Sequence, residues 1–140
     1  MTTPDFDRLL SQTSHGVLAT IKRDGRPQLS NVNHAYDPSQ KLLRISITAD
    51  RAKARNLRRD PRASYHVSAP DFWQWAVAEG TAELTPVAQE EYDDTVNELV
   101  EFYRVLRGEH PDWDEYRRAM VVDGRQLVRL RVEHVYGQVQ

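Results

Sequence analysis

An α+β fold, in which an antiparallel sheet closes into a small barrel, is what this sequence predicts. Three observations carry that expectation. Asp24-Gly25 sits between two strand-like runs, the strongest short-range hairpin signal. Apolar and polar residues alternate at 41–48, 62–68 and 128–133, the period of a sheet with one buried face. The strand-like runs also follow one another with few crossover helices, which disfavours a parallel, doubly wound sheet.

The elements follow in chain order. Residues 3–13 read as a short helix with Phe6, Leu9 and Leu10 on one face. Strands are predicted at 15–22 and 26–36 around Arg23-Asp24-Gly25, and at 41–48 after the turn Asp37-Pro38-Ser39-Gln40. In 41–48, Leu43, Ile45 and Ile47 form the dry face and Arg44, Ser46 and Thr48 the wet one. Asp50 has the chemistry of an N-cap for a helix over 51–59, which Pro61 prevents from continuing. A strand is predicted at 62–68, with Ala63, Tyr65 and Val67 alternating against Ser64, His66 and Ser68. After a Pro-Asp turn comes a long strand over 73–85, in which Gly80 marks a bulge or close approach.

The clearest helix spans 86–107. Pro86 suits its first turn, Gly108 suits its end, and Tyr92, Val96, Leu99, Val100, Tyr103 and Leu106 form an apolar stripe. A second helix is predicted over 113–122. Asp123-Gly124 then turns into a last strand, where Val128, Leu130 and Val132 alternate with Arg129, Arg131 and Glu133. Residues 1–140 read as one domain, without repeats, linkers or low-complexity tracts.

The composition narrows the chemistry. The chain has no cysteine, which excludes disulfides, thiolate metal sites and cysteine nucleophiles and suits a reducing cytosol. A net charge of -2 conceals an asymmetry. Residues 51–62 carry Arg51, Lys53, Arg55, Arg58, Arg59 and Arg62 against Asp60 alone, whereas 86–116 are strongly acidic. The near-neutral total argues against nonspecific nucleic-acid binding, but the basic cluster suits a small anion. The amino-terminal stretch lacks the cationic and apolar blocks of a signal peptide, and no apolar run reaches membrane-spanning length. A soluble, cytoplasmic protein is expected.

The best candidate site is Asp50-Arg51-Ala52-Lys53. A helix amino terminus is already partly positive, so cations in its first turn oppose the dipole. An anion there reverses the sign, because free backbone N–H groups, an Arg fork and a Lys ammonium all converge on it. The bland alternative is that both side chains extend into water. The wet face of Arg44, Ser46 and Thr48 leads towards the same corner, along which a flat heteroaromatic ring fits. Trp73, Gln74 and Trp75 suit stacking on a planar ligand, although burial in a core or an interface explains them equally. There is no GxGxxG, P-loop, HExxH or GxSxG motif, and the histidines lack metal-ligand spacing. If this is an enzyme, a cofactor supplies the reactivity.

The segments GVLATIKRDGRPQLSNV, RISITADRAKARNLRRDPRAS, WAVAEGTAELTP and HVYG resemble the pyridoxamine-phosphate-oxidase-like superfamily of split β-barrels. Within it they look most like the B group of flavin/deazaflavin-dependent oxidoreductases. The resemblance implies a six-stranded antiparallel split barrel with flanking helices, forming a twofold homodimer with cofactor sites at the interface. Arg51, Ala52 and Lys53 match the residues that hold the cofactor phosphate, and Asn56 lies on the same helix. Ile45, Ser46, Ile47 and Thr48 match the strand lining the ring system, with Gln28, Ser30 and Asn31 near its polar end. Trp75 and the last strand, with Arg129, are expected from the neighbouring subunit. The cofactor implied is the deazaflavin coenzyme F420, which delivers hydride to an unsaturated small molecule. An FMN-dependent enzyme and a noncatalytic F420 carrier are the alternatives.

Overall fold

The computed structural model describes residues 3–140 of the 140-residue chain, so Met1 and Thr2 lie outside the described residues. The elements are α1 (Thr3–Gln12), β1 (His15–Ile21), β2 (Pro27–Asn33), β3 (Ala35–Asp37), β4 (Leu42–Thr48) and α2 (Ala52–Arg59). They continue with β5 (Arg62–Ser68), β6 (Trp75–Leu84), α3 (Asp94–Arg107), α4 (Trp113–Val122) and β7 (Arg125–Gln138). The strands form one antiparallel sheet in the order β2-β1-β5-β6-β7-β4-β3, curled into a half-barrel.

The alternation read from the sequence sets which side chains turn inward. Leu18, Leu43, Ile45, Ile47, Ala63, Tyr65, Val67, Val128 and Leu130 fill the barrel. Phe6, Leu9 and Leu10 of α1 join this core, as do Ala54 and Leu57 of α2. Each large apolar side chain so enclosed contributes about 1.5–3 kcal/mol relative to exposure. A second, smaller core lies outside the barrel wall, where Leu99 and Phe102 of α3 pack on Leu127 of β7. The sheet kinks at a register shift between Glu79 and Gly80. A Cβ on Gly80 would lie 1.8 Å from the Arg131 carbonyl oxygen, so only glycine fits there. Among the described residues, no helix is long and apolar enough to cross a membrane.

Four expectations need correction. The sheet has seven strands, not six, because the run 26–36 divides at His34. The His34 N–H donates to Ser14 O, and its buried ring bonds Tyr65 Oη and Leu10 O, which turns the chain from β2 into β3. Helix α3 begins at Asp94 rather than at 86: Asp93 accepts from Val96 N as its cap, and Tyr92 is left exposed in the preceding loop. Pro86 is compatible with a helix start, but Asp93 supplies the acceptor that makes one. Strand β6 begins at Trp75, because the Asp71 carboxylate captures the N–H groups of Trp73 and Gln74 and closes a turn with Phe72 at φ 72°. Trp73 is therefore exposed beside Phe72 and shares no strand face with Trp75. Finally, Asp50 is not the cap of α2: Arg51 occupies that position, and no side chain among the described residues caps the helix.

Candidate functional site

The end of β4 and the start of α2 form the corner where the sequence places an anion. The Arg51 N–H donates to Thr48 O, which turns the chain out of β4, and Arg51 O accepts from Ala54 N and Arg55 N as the helix begins. With no side-chain cap, the N–H groups of Ala52 and Lys53 have no acceptor within the helix. Arg51 is exposed and Lys53 half-buried, and neither forms an ion pair among the described residues. Burial, then the charges of Arg51 and Arg125, hold the Lys53 ammonium below the ordinary lysine range. Three cations thus gather, and none of them forms an ion pair among the described residues.

Arg125 is the member that sequence reasoning missed. It opposes Thr48 in the last rung of the β4–β7 ladder, and the Ala49 N–H donates to the neighbouring Gly124 O, which fixes the β7 start against the corner. No local signal marks it, because its place depends on a pairing between distant segments.

A slot lies beside this corner. β2 and β4 approach one another without forming a ladder, and β3 pairs with β4 only at residues 42–44. The β4 backbone edge from Ile45 to Thr48 therefore has no strand partner on that side. The side chains of Ile45 and Ile47 are 0 % and 1 % exposed, so only their backbone is available to a ligand. The expected wet face is partly covered by α3 at its Arg44 end, where Arg44 Nε donates to Glu98 Oε2 at 2.8 Å. A planar ring has the strand edge available to it, while Ser46 and Thr48 stay half-buried on the adjoining face.

The other candidates divide. Gln28, Ala52 and Asn56 line one open cleft of about 680 Å³ together with Lys22, Arg23, Arg55, Arg58 and Arg59. No acidic residue lines it. Its guanidinium groups are held by neutral oxygens: Arg55 on Asp50 O, Arg58 on Ala49 O, and Arg59 on Ile21 O and Asn56 Oδ1. Asn56 is itself buried and donates to Thr20 Oγ1 at 3.1 Å, which makes it a brace between α2 and β1. Ser30 opposes Leu18 and so shares Gln28's side of the sheet, whereas Asn31 opposes Val17 and faces outward beside His15 and His66.

Two candidates lie away from the corner in this chain. Arg129 stands four residues from Arg125, roughly 13 Å along the strand. Its fork is committed to Glu98 and Glu83. Hydrogen bonding to Glu98 raises the Arg129 pKa further above its usual range. Burial pushes the Glu98 carboxyl up, but the hydrogen bonds from Arg129 and Arg44 outweigh it and hold the pKa low. Trp75 opposes Gln138 at the far end of β7 and stacks on His66 at 5.8 Å on the outward face. One chain does not bring it to the phosphate corner.

The sequence profile of the family described as pyridoxamine 5'-phosphate oxidase matches residues 2–139. The fold is similar to a solved structure titled F420 reductase, at 24% identity and a TM-score of 0.72, covering 94% of this chain and 96% of that one. It is also similar to the conserved hypothetical protein Rv2991 from Mycobacterium tuberculosis, at 23% identity and a TM-score of 0.76, covering 99% and 85% of the two chains. A heme binding protein from Mycobacterium smegmatis matches at 21% identity and a TM-score of 0.69, covering 99% of this chain and 54% of that one.

Proposed function

This chain belongs to the pyridoxamine 5'-phosphate oxidase family, and from that premise we propose that it binds coenzyme F420 and uses it to reduce an unsaturated small molecule. Arg51, Lys53 and the free N–H groups of Ala52 and Lys53 hold the cofactor phosphate. The unpaired edge of β4 meets the polar rim of the ring, and Gln28 and Ser30 of β2 close the slot. Bound there, reduced F420 supplies hydride from a ring carbon, and the protein's part is to orient the substrate and exclude water. Arg129 is left to brace α3, since its fork is already taken by Glu98 and Glu83. A second copy of the chain covers the outward face of β1, β5 and β6 and brings Trp75 towards the neighbouring site.

One observation carries F420 over FMN. FMN ends at its phosphate, whereas the F420 phosphate continues into a chain of carboxylates. The cleft that starts at Ala52 holds Lys22, Arg23, Arg55, Arg58 and Arg59 with no acid to neutralise them. Such a lining has a use for a polyanionic tail and none for FMN. The test is a fluorescence titration of the purified protein with each cofactor. F420 is expected to bind at least about tenfold tighter than FMN, a difference of about 1.4 kcal/mol. Arg51→Ala with Lys53→Ala lowers F420 affinity by one to several orders of magnitude, since each charge-assisted hydrogen bond contributes about 1.5–3 kcal/mol. Tight FMN binding reverses the cofactor assignment, and unchanged affinity in the double variant refutes the phosphate corner.

Holding F420 without turnover is the second reading. The sequence shows no acid–base pair whose spacing marks it as the source of the proton that completes a hydride reduction. Binding with no reduction across a panel of quinones and enones selects this reading.

A further inference from the structure

Arg125 has no counterpart among the residues that the sequence motifs single out, yet its setting is unusual. Its Nε is buried and has no hydrogen-bond partner. A buried donor left unmatched costs about 1–3 kcal/mol, and more when it belongs to a charged group, so a retained one calls for an explanation. No ion pair among the described residues compensates the charge. Its backbone is also fixed in place: its carbonyl accepts from Ala88 N, its strand pairs Thr48, and α4 approaches β7. Burial pushes the Tyr116 phenol of α4 up to about 12, and the neighbouring Arg125 charge pulls against it. Two further cations, Arg51 and Lys53, stand at the same end of β4.

A guanidinium that is partly enclosed, uncompensated and carried on a fixed backbone beside two other cations is stabilised by a multiply charged anion at their centre. We propose that Arg125 is the third cation of the phosphate corner, acting with Arg51 and Lys53 on the phosphodiester or phosphomonoester of the bound cofactor. The inference rests on the cofactor reading above for the identity of that anion, but not for the existence of the site. Arg125 supplies a charge from the β7 side and the exposed Arg51 one from the start of α2, so the phosphate is clamped between two segments that meet only in the folded sheet.

The test uses the full chain with Arg125→Gln and Arg125→Lys. Binding is measured for F420 and for its phosphate-free deazaflavin riboside, and melting temperature is measured against inorganic phosphate. The glutamine variant is expected to lose roughly 10- to 100-fold in F420 affinity. The riboside should bind it as well as it binds the wild type, and the lysine variant should recover most of the loss. An equal loss for F420 and riboside, or no loss for F420, overturns the proposal. Should the wild type bind neither cofactor yet be stabilised by phosphate, with that stabilisation lost in Arg125→Gln, the cofactor reading fails and the anion site stands. A wild type indifferent to phosphate and to both cofactors overturns both.

Discussion

Lys53 carries its charge against its surroundings, since burial and two neighbouring cations hold its pKa below the ordinary 10.5. An anion at the corner adds the missing opposite charge, which raises that pKa, so binding at alkaline pH takes up a proton. As pH rises through the lowered value, the free protein loses its ammonium and affinity for an anionic cofactor falls. Lys53→Arg removes this loss, because a guanidinium stays charged throughout. Titrations across alkaline pH check it, and identical profiles for the two proteins contradict it. Gly80 makes a second prediction at this scale. Gly80→Ala forces a Cβ against the Arg131 carbonyl, and the backbone must yield, costing about 1–3 kcal/mol in a denaturant melt. Arg51 and Lys53 were legible in the sequence because a helix start is a local feature. Arg125 was not, because it reaches the corner only through the β4–β7 pairing.

At the scale of elements, His34 ties α1 to the β2–β3 junction. The Leu10 carbonyl can only accept, so Nε2 carries the proton and Nδ1 accepts from the Tyr65 hydroxyl. Burial lowers the His34 pKa from 6.5, despite the backbone hydrogen bond that opposes it. The unfolded chain therefore takes up this proton first as pH falls. The stability it contributes is fully present above about 6.5 and is lost as pH drops through the lowered folded value. His34→Phe should flatten that part of the stability curve, as read from melting temperature between neutral and mildly acidic pH. An unchanged slope contradicts this account. The same residue explains why one predicted strand became two. The sequence pattern carried the alternation on both sides of it, but not the buried ring that interrupts them. Alternation separated the two faces of β4 correctly, but whether a helix from elsewhere packs on the polar one is decided by tertiary packing. Glu98 reaching Arg44 is such a contact.

For the whole molecule, the helices leave one part of the sheet uncovered. The outward row Asn31, Val17, His66, Val77 and Tyr136 runs across β2, β1, β5, β6 and β7. Beside it Leu29 is 64% exposed, and Tyr136 is 46% exposed. An apolar and aromatic face of this kind suits a second copy of the chain. Leu29→Glu with Tyr136→Glu should convert a dimer to a monomer in sedimentation while leaving the far-ultraviolet spectrum intact. A wild-type monomer, or a dimer indifferent to both changes, contradicts the arrangement. The barrel class and the order of most elements followed from hydrophobic period and turn chemistry, both local, whereas the seventh strand and the position of Arg125 beside Thr48 needed the closed sheet. The central claim is that an anion belongs between Arg51, Lys53 and the uncapped start of α2. A crystal structure of the protein with F420 tests it most directly: the phosphate should accept from the N–H groups of Ala52 and Lys53, with Arg51 and Arg125 flanking it. A well-ordered cofactor whose phosphate lies elsewhere, with that corner open to solvent, would contradict the account.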